Sequence, residues 1–169
     1  MKKKGLSIVA LGLSVFFIAC SMLKYSAVGI DIPADAKTIC IKQFQNNAPL
    51  INLKLSNELT TQLKDKFQLN THLSLVDSRG DLYVEGEITN YALSSVALGA
   101  DMATMNRLTI SIRIKYENRF DEEKNLEQTF SRYMDFDSKQ TLQQVEDVLV
   151  FQICEALVDD IFTATVGNW

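Results

Sequence analysis

RLTISIRIKYENRF, residues 107–120, decides the fold. Leu108, Ile110, Ile112, Ile114 and Tyr116 fall on one side of a two-residue period. Thr109, Ser111, Arg113, Lys115, Glu117 and Arg119 fall on the other. Strict alternation of this kind specifies a half-buried β-strand, with one face on a core and the other wet. Asp121 to Lys124 (DEEK) is a polar hairpin turn, and Leu126 to Phe136 returns with Leu126, Phe130 and Met134 inward. Keeping apolar opposite apolar predicts Phe120 opposite Leu126 and Tyr116 opposite Phe130, with Arg119 and Glu127 as an outward pair of opposite charge. The same register turns Arg132 inward, opposite Ile114. Either a bulge re-aims it or an acid of the last helix receives it.

Upstream, Asp81 to Leu93 alternates again. Leu82, Val84, Gly86 and Ile88 share one face, and Tyr83, Glu85, Glu87, Thr89 and Tyr91 the other. Ser94 to Asn106 (SSVALGADMATMN) is small, apolar and almost uncharged, and reads as a long hairpin tip. Lys37 to Phe44 is a first strand rich in β-branched residues; Ile39, Ile41 and Gln43 point one way, Cys40, Lys42 and Phe44 the other. After the turn cluster QNNAP, residues 45–49, the period changes. Leu55, Leu59, Leu63 and Phe67 recur every four residues, which stacks them on one face of a helix from about 53 to 68, with Asn52 or Ser56 as its cap. A short strand follows at residues 73–76. At the other end, Leu142, Val145, Leu149, Ile153, Leu157 and Ile161 mark a long helix from about 139 to 165, capped by residues 137–139. Val148, Phe151, Val158 and Phe162 widen its apolar stripe.

The order is therefore β-α-β-β-β-α. Two amphipathic helices cover one face of a mostly antiparallel or mixed sheet, a two-layer α+β sandwich whose other face is left to water or a partner.

The chain opens with Lys2, Lys3 and Lys4, then the uncharged run GLSIVALGLSVFFIA, residues 5–19, then Cys20. Basic start, apolar run and small residue before the cut are the layout of a secretory signal peptide. The run is shorter than the roughly 20 residues that span a bilayer. Phe17-Ile18-Ala19-Cys20 resembles a bacterial lipobox, with Phe in the place where Leu is commonest, so Cys20 is the expected lipidated N-terminus. Acyl chains on one residue anchor a protein without threading it through the membrane. The domains expected are residues 1–19 as signal peptide, 20–36 as lipidated Cys, tether and lead-in, and 37–169 as one domain. The chain of 169 residues carries a net charge of −4, and the three lysines leave with the signal peptide. An acidic domain is a poor partner for nucleic acid. Cys40 and Cys154 sit in apolar runs and read as two free core thiols, although an oxidising periplasm permits a disulfide.

Catalytic and metal-binding patterns are absent from the sequence. There is one histidine, His72, between a helix end and a short strand, and no GxSxG, HExxH, P-loop or GxGxxG. Glu85 and Glu87 share a wet strand face. Paired acids can do hydrolytic chemistry, but acids in this setting ordinarily solubilise. No catalytic residue, cofactor or metal is expected.

Several stretches together resemble the lipopolysaccharide-assembly lipoprotein family LptE. They are the lipobox, DAKTICIKQFQNNAPL, LKDKF, GDLYVEGEITNY, NRLTISIRIKY, FSRYMDFDS and VEDVLVFQICEALVDDIF with the terminal NW. The resemblance covers essentially all of the chain after Cys20, and no single motif is diagnostic. It implies a non-enzymatic outer-membrane lipoprotein, facing the periplasm or lodged inside the lumen of an LptD-like β-barrel. Such a protein plugs that barrel, helps it assemble and takes part in inserting lipopolysaccharide into the outer leaflet. The strand order puts the 94–106 tip and the 135–140 turn at one end of the sandwich. Arg107 and Lys139 flank that end and are the expected cationic contacts to lipopolysaccharide phosphates or the barrel wall; the plainer alternative is two solvated charges. The competing reading of the whole chain is a generic periplasm-facing lipoprotein, a binding module or envelope assembly factor without a barrel partner.

Overall fold

The computed structural model describes residues 29–50, 52–97 and 104–167. The signal peptide, Cys20 and the centre of the 94–106 segment lie outside the described residues. Six strands and two helices follow in order: β1 (Thr38–Ile41), β2 (Gln45–Asn46), α1 (Leu55–Asn70), β3 (Ser74–Leu75), β4 (Leu82–Ala97), β5 (Thr104–Asn118), β6 (Leu126–Asp137) and α2 (Leu142–Val166). The sheet runs β3-β1-β4-β5-β6, with β2 continuing beside β4. β1 is parallel to β3 and β4, while β4-β5-β6 is an antiparallel meander. Both helices lie on one face, so the architecture is the two-layer α+β sandwich with a mixed sheet.

The core lies between the layers. Leu55, Leu59, Leu63 and Phe67 of α1 and Leu149, Ile153, Leu157 and Ile161 of α2 pack on Ile39, Leu82, Val84, Ile88, Leu108, Ile110 and Ile112. The helices run parallel, tied at one end by Lys54 and Asp147 (3.0 Å) and at the other by Lys66 and Asp159 (2.7 Å). This docking leaves Val148 and Phe151 exposed, so the buried stripe of α2 is narrower than its sequence implies. Cys40 and Cys154 are both buried and free. Burial pushes the Cys154 thiol up to about 12, and the charge of Glu58 adds to the rise.

Capping explains where the helices start. The Asn52 side-chain oxygen accepts from the backbone N–H groups of Lys54 (2.8 Å) and Leu55 (3.0 Å), closing the first turn of α1. Thr141 and Gln144 form a capping box on α2, which begins after the 137–139 segment expected to cap it. The first strand is also shorter than residues 37–44. It ends at Ile41, and Phe44 dips into the core, where its ring occupies the space a Cβ on Gly86 would need, 2.5 Å away.

The β5–β6 register differs from the sequence expectation. Tyr116 stands opposite Leu126, Ile112 opposite Phe130, Lys115 opposite Glu127, and Arg132 opposite Ile110 rather than Ile114. The cause is the turn. The Asn118 backbone N–H donates to the Asn125 side chain (2.7 Å), and the Asn118 side-chain oxygen accepts from the N–H groups of Phe120 (3.0 Å) and Asp121 (3.2 Å). With a 3-10 turn at Glu122–Lys124, the connection consumes residues 119–125 and leaves Phe120 exposed. Arg132 still points to the helix side, and an acid of α2, Asp160, receives it.

The hairpin between β4 and β5 is longer than the alternation suggested, since the strands pair out to Ala97 and Thr104. A register shift between Ile88 and Asn90 marks a bulge at Thr89. One extra residue reverses the facing of everything beyond it. Tyr91, expected outward, is therefore buried, and its hydroxyl donates to Glu146 (2.5 Å).

Asp81 fastens β1 to the turn before β4. Its Oδ2 accepts from the N–H groups of Lys37 and Thr38 (both 3.0 Å) and from the Thr38 hydroxyl (2.8 Å). The Lys37 N–H above all, then the Thr38 hydroxyl, holds its carboxyl below the ordinary value of 3.8. A carboxyl lowered in the folded state stabilises above its unfolded pKa, and that contribution is lost as pH falls through the folded value. Asp81→Asn should therefore lower stability at neutral pH and flatten the decline below pH 3.8, measured as urea midpoints across an acid series.

Candidate functional site

The helix-free face of the sheet is polar because β4, β5 and β6 alternate. Across it, Arg113 pairs with Glu87, Asn47 donates to the same carboxylate (2.6 Å), Lys115 pairs with Glu117 (2.7 Å), and the Ser111 and Ser131 hydroxyls share a hydrogen bond of 2.9 Å. The Tyr83 hydroxyl donates to Glu85 (2.8 Å), and burial together with that carboxylate raises the phenol to about 12. Lys42, Tyr83, Glu87 and Lys115 line an open groove of about 850 Å³. Its two sequence-flagged acids are committed. Glu87 is held below the carboxylate range by Arg113 first and Asn47 second, and Glu85 is engaged by Tyr83. A carboxylate lowered in this way is a poor general acid near neutral pH. Among the described residues no group of His, Cys, Asp and Glu is arranged to hold a metal. His72 is exposed, with Nε2 3.0 Å from the Ala36 carbonyl.

The face ends in a second cluster. Arg107 stands opposite Asp135. Its Nε and Nη2 donate to the two carboxylate oxygens (2.7 and 2.9 Å), and the guanidinium lies 3.7 Å from the Tyr133 ring centroid. The fork lowers the Asp135 carboxyl and raises the Arg107 guanidinium. Lys139 is two residues beyond the end of β6, where Asp137 pairs with Met105, and its side chain is exposed. Its N–H donates to Asp137 (2.8 Å). Sequence reasoning named Arg107 and missed Tyr133 and Asp135. The signal was available: they are spaced by two, and so share a strand face.

The opposite end carries the chain's entry. Ile30 bridges to Gly167, the Asp31 N–H donates to the Val166 carbonyl (2.8 Å), and the Asp31 carboxylate pairs with Lys124 in the β5–β6 turn (2.7 Å). The lead-in is thus fixed at the α2 C-terminus, while Arg107 and Lys139 lie at the end where α2 begins. Among the described residues no helix is long and apolar enough to cross a membrane.

The two-layer α+β fold is shared with solved structures that include bacterial lipoproteins. The fold is similar to that of a minor lipoprotein from Acinetobacter baumannii, with a TM-score of 0.50 at 18% identity, covering 75% of this chain and 90% of that one. It is likewise similar to rare lipoprotein B from Shewanella oneidensis (TM-score 0.50, 15% identity, 76% and 92% covered). A hypothetical protein from Chlamydia trachomatis has a TM-score of 0.51 at 8% identity, with 77% and 98% covered. No curated protein matches the chain. The family model described as LptE, lipopolysaccharide-assembly, matches residues 36–165, and the chain belongs to that family.

Proposed function

We propose that the protein is a non-enzymatic outer-membrane lipoprotein that occupies the lumen of an LptD-type β-barrel and takes part in delivering lipopolysaccharide to the outer leaflet. In this reading residues 1–19 are removed, Cys20 carries the lipid, and residues 37–169 form the domain. The observation that carries it is the polarity of the molecule. The lead-in is pinned at Gly167 and Lys124, and the cluster of Arg107, Tyr133 and Asp135 lies at the far end. A chain anchored at Cys20 has ten residues to reach Ile30, about 35 Å at full extension. The anchor therefore tethers one end and leaves the other to reach into a partner. The polar sheet face suits a water-lined lumen better than lipid.

Arg107 and Lys139 are the proposed cations for lipid phosphates or the barrel wall. Arg107 is already forked onto Asp135, so a phosphate has to take the carboxylate's place on a guanidinium whose plane Tyr133 holds. Lys139 offers an exposed charge at the same end of the sheet. Charge reversal of both (Arg107→Glu with Lys139→Glu) should weaken lipopolysaccharide capture by roughly tenfold or more, with a smaller effect at high salt. Unchanged capture and barrel assembly reject these two as contacts. The parent reading is tested separately, by mild-detergent pull-down of the tagged, lipidated protein. A stoichiometric barrel that stays bound until heated supports it. Recovery of the lipoprotein without a barrel rejects it.

A further inference from the structure

The sheet has two edges. β3 is two residues long and offers almost nothing to pair with, whereas β6 runs for twelve residues with no proline. A long flat edge is a template for another strand. The helix-side residues of β6 include Phe130, Met134 and Phe136, apolar groups that an added strand could extend. In their midst stands Arg132, opposite the fully buried Ile110. Its Nε donates to Asp160 Oδ2 (2.6 Å), and Nη2 bonds the other carboxylate oxygen. The Arg132 side chain is 51% exposed and Asp160 22%, so the ion pair closes the open flank between strand and helix.

We infer that the Arg132–Asp160 pair guards the β6 edge against pairing with the same strand of a second copy of this chain. An arriving strand would desolvate a guanidinium that water now reaches, in the row where an apolar residue would favour it. The outward row adds to the refusal. A symmetric antiparallel mate that kept both helix layers on one side has two registers of greatest overlap. These place Glu127 opposite Asp135 or opposite Asp137 of the second copy. Arg132 then meets Phe130 or the second Arg132. Like charges directly opposite one another disfavour both. The guard also accounts for an inward arginine that neither the core nor the proposed contact end uses.

The test is sedimentation velocity of the full lipidated chain in density-matched detergent. Wild type is expected to stay monomeric. Arg132→Leu with Asp160→Leu replaces the pair by apolar groups, a change that is often tolerated; it should raise self-association roughly tenfold or more, with Ser131→Cys in that background cross-linking the copies through a short bismaleimide, which reaches in either register. The reversed pair, Arg132→Asp with Asp160→Arg, keeps the inward charge and should remain monomeric. A leucine variant that melts cooperatively yet stays monomeric overturns the inference. So does a reversed pair that associates as strongly, or a dimer that does not cross-link at residue 131. If the leucine variant does not fold, Arg132→Thr, which keeps a strand-forming residue at the edge, decides in the same way.

Discussion

Phe67→Ala is expected to lower the unfolding free energy by about 3–5 kcal/mol. Phe67 closes the last turns of α1 and is fully buried. Its ring meets Phe162 of α2 edge to face, with centroids 5.1 Å apart and planes at 60°, and the Lys66 ammonium lies 5.6 Å over the Phe162 ring. Truncation removes the transfer energy of an aromatic side chain and leaves a cavity where the two helices and the sheet meet. The surrounding side chains relax into such a cavity only in part. Chemical denaturation of the purified chain, wild type against variant, measures the loss as a lower midpoint. Phe67→Leu should recover more than half of it, because most of the volume returns.

Gly80→Ala is the second large effect. Arg79, just before it, already occupies the left-handed region at φ 46°, so the 77–80 turn is tight. An added Cβ at Gly80 would sit 2.6 Å from both the Cys40 nitrogen and the Leu82 oxygen, and 2.9 Å from the Ile39 carbonyl carbon. All three atoms are backbone, and backbone in paired strands cannot swing aside as a long side chain does. Relief requires β1 to move off β4, which costs the parallel ladder at Ile39–Leu82 and Cys40–Tyr83. Overpacking of this kind costs about 1–3 kcal/mol and occasionally more. A backbone clash belongs at the upper end. The expected readout is a lower thermal midpoint with early loss of protection at the β1 amides in hydrogen exchange. Loss of the β5–β6 amides first would place the damage elsewhere and reject the account.

Both effects fall on the half of the domain where β1, β3 and α1 meet, away from Arg107 and Lys139. A variant destabilised there should lose any partner in proportion to its unfolded fraction. A charge change at Arg107 breaks its fork to Asp135 and lowers the melt somewhat, but should weaken binding by more than the added unfolded fraction explains. The two classes of variant therefore separate scaffold from contact.

Much of the architecture is legible in the chain itself. The two-residue alternation of 107–120 and 81–88 and the four-residue spacing from Leu55 to Phe67 specify which faces are buried, because burial of apolar area dominates and both periods are set by backbone geometry. Those patterns determine a one-sided sheet, two covering helices and a polar free face. Its family is legible as well, in stretches scattered along the chain rather than in any motif. Register and facing near irregularities are not. The offset of β6 depends on hydrogen bonds that Asn118 makes with residues up to seven positions away, and a register four residues different still puts apolar opposite apolar. The bulge at Thr89 turns Tyr91 inward because Glu146 of a helix more than fifty residues later waits there to accept its hydroxyl. The partners of Arg132 and Arg107 follow the same rule. Sequence marked both arginines; only the packed helix brings Asp160 under one, and only the β5–β6 register sets Asp135 and Tyr133 against the other. Local periodicity fixes what must be buried. Which charges meet is decided by long-range register, where turns and bulges contribute single hydrogen bonds that leave no period to read.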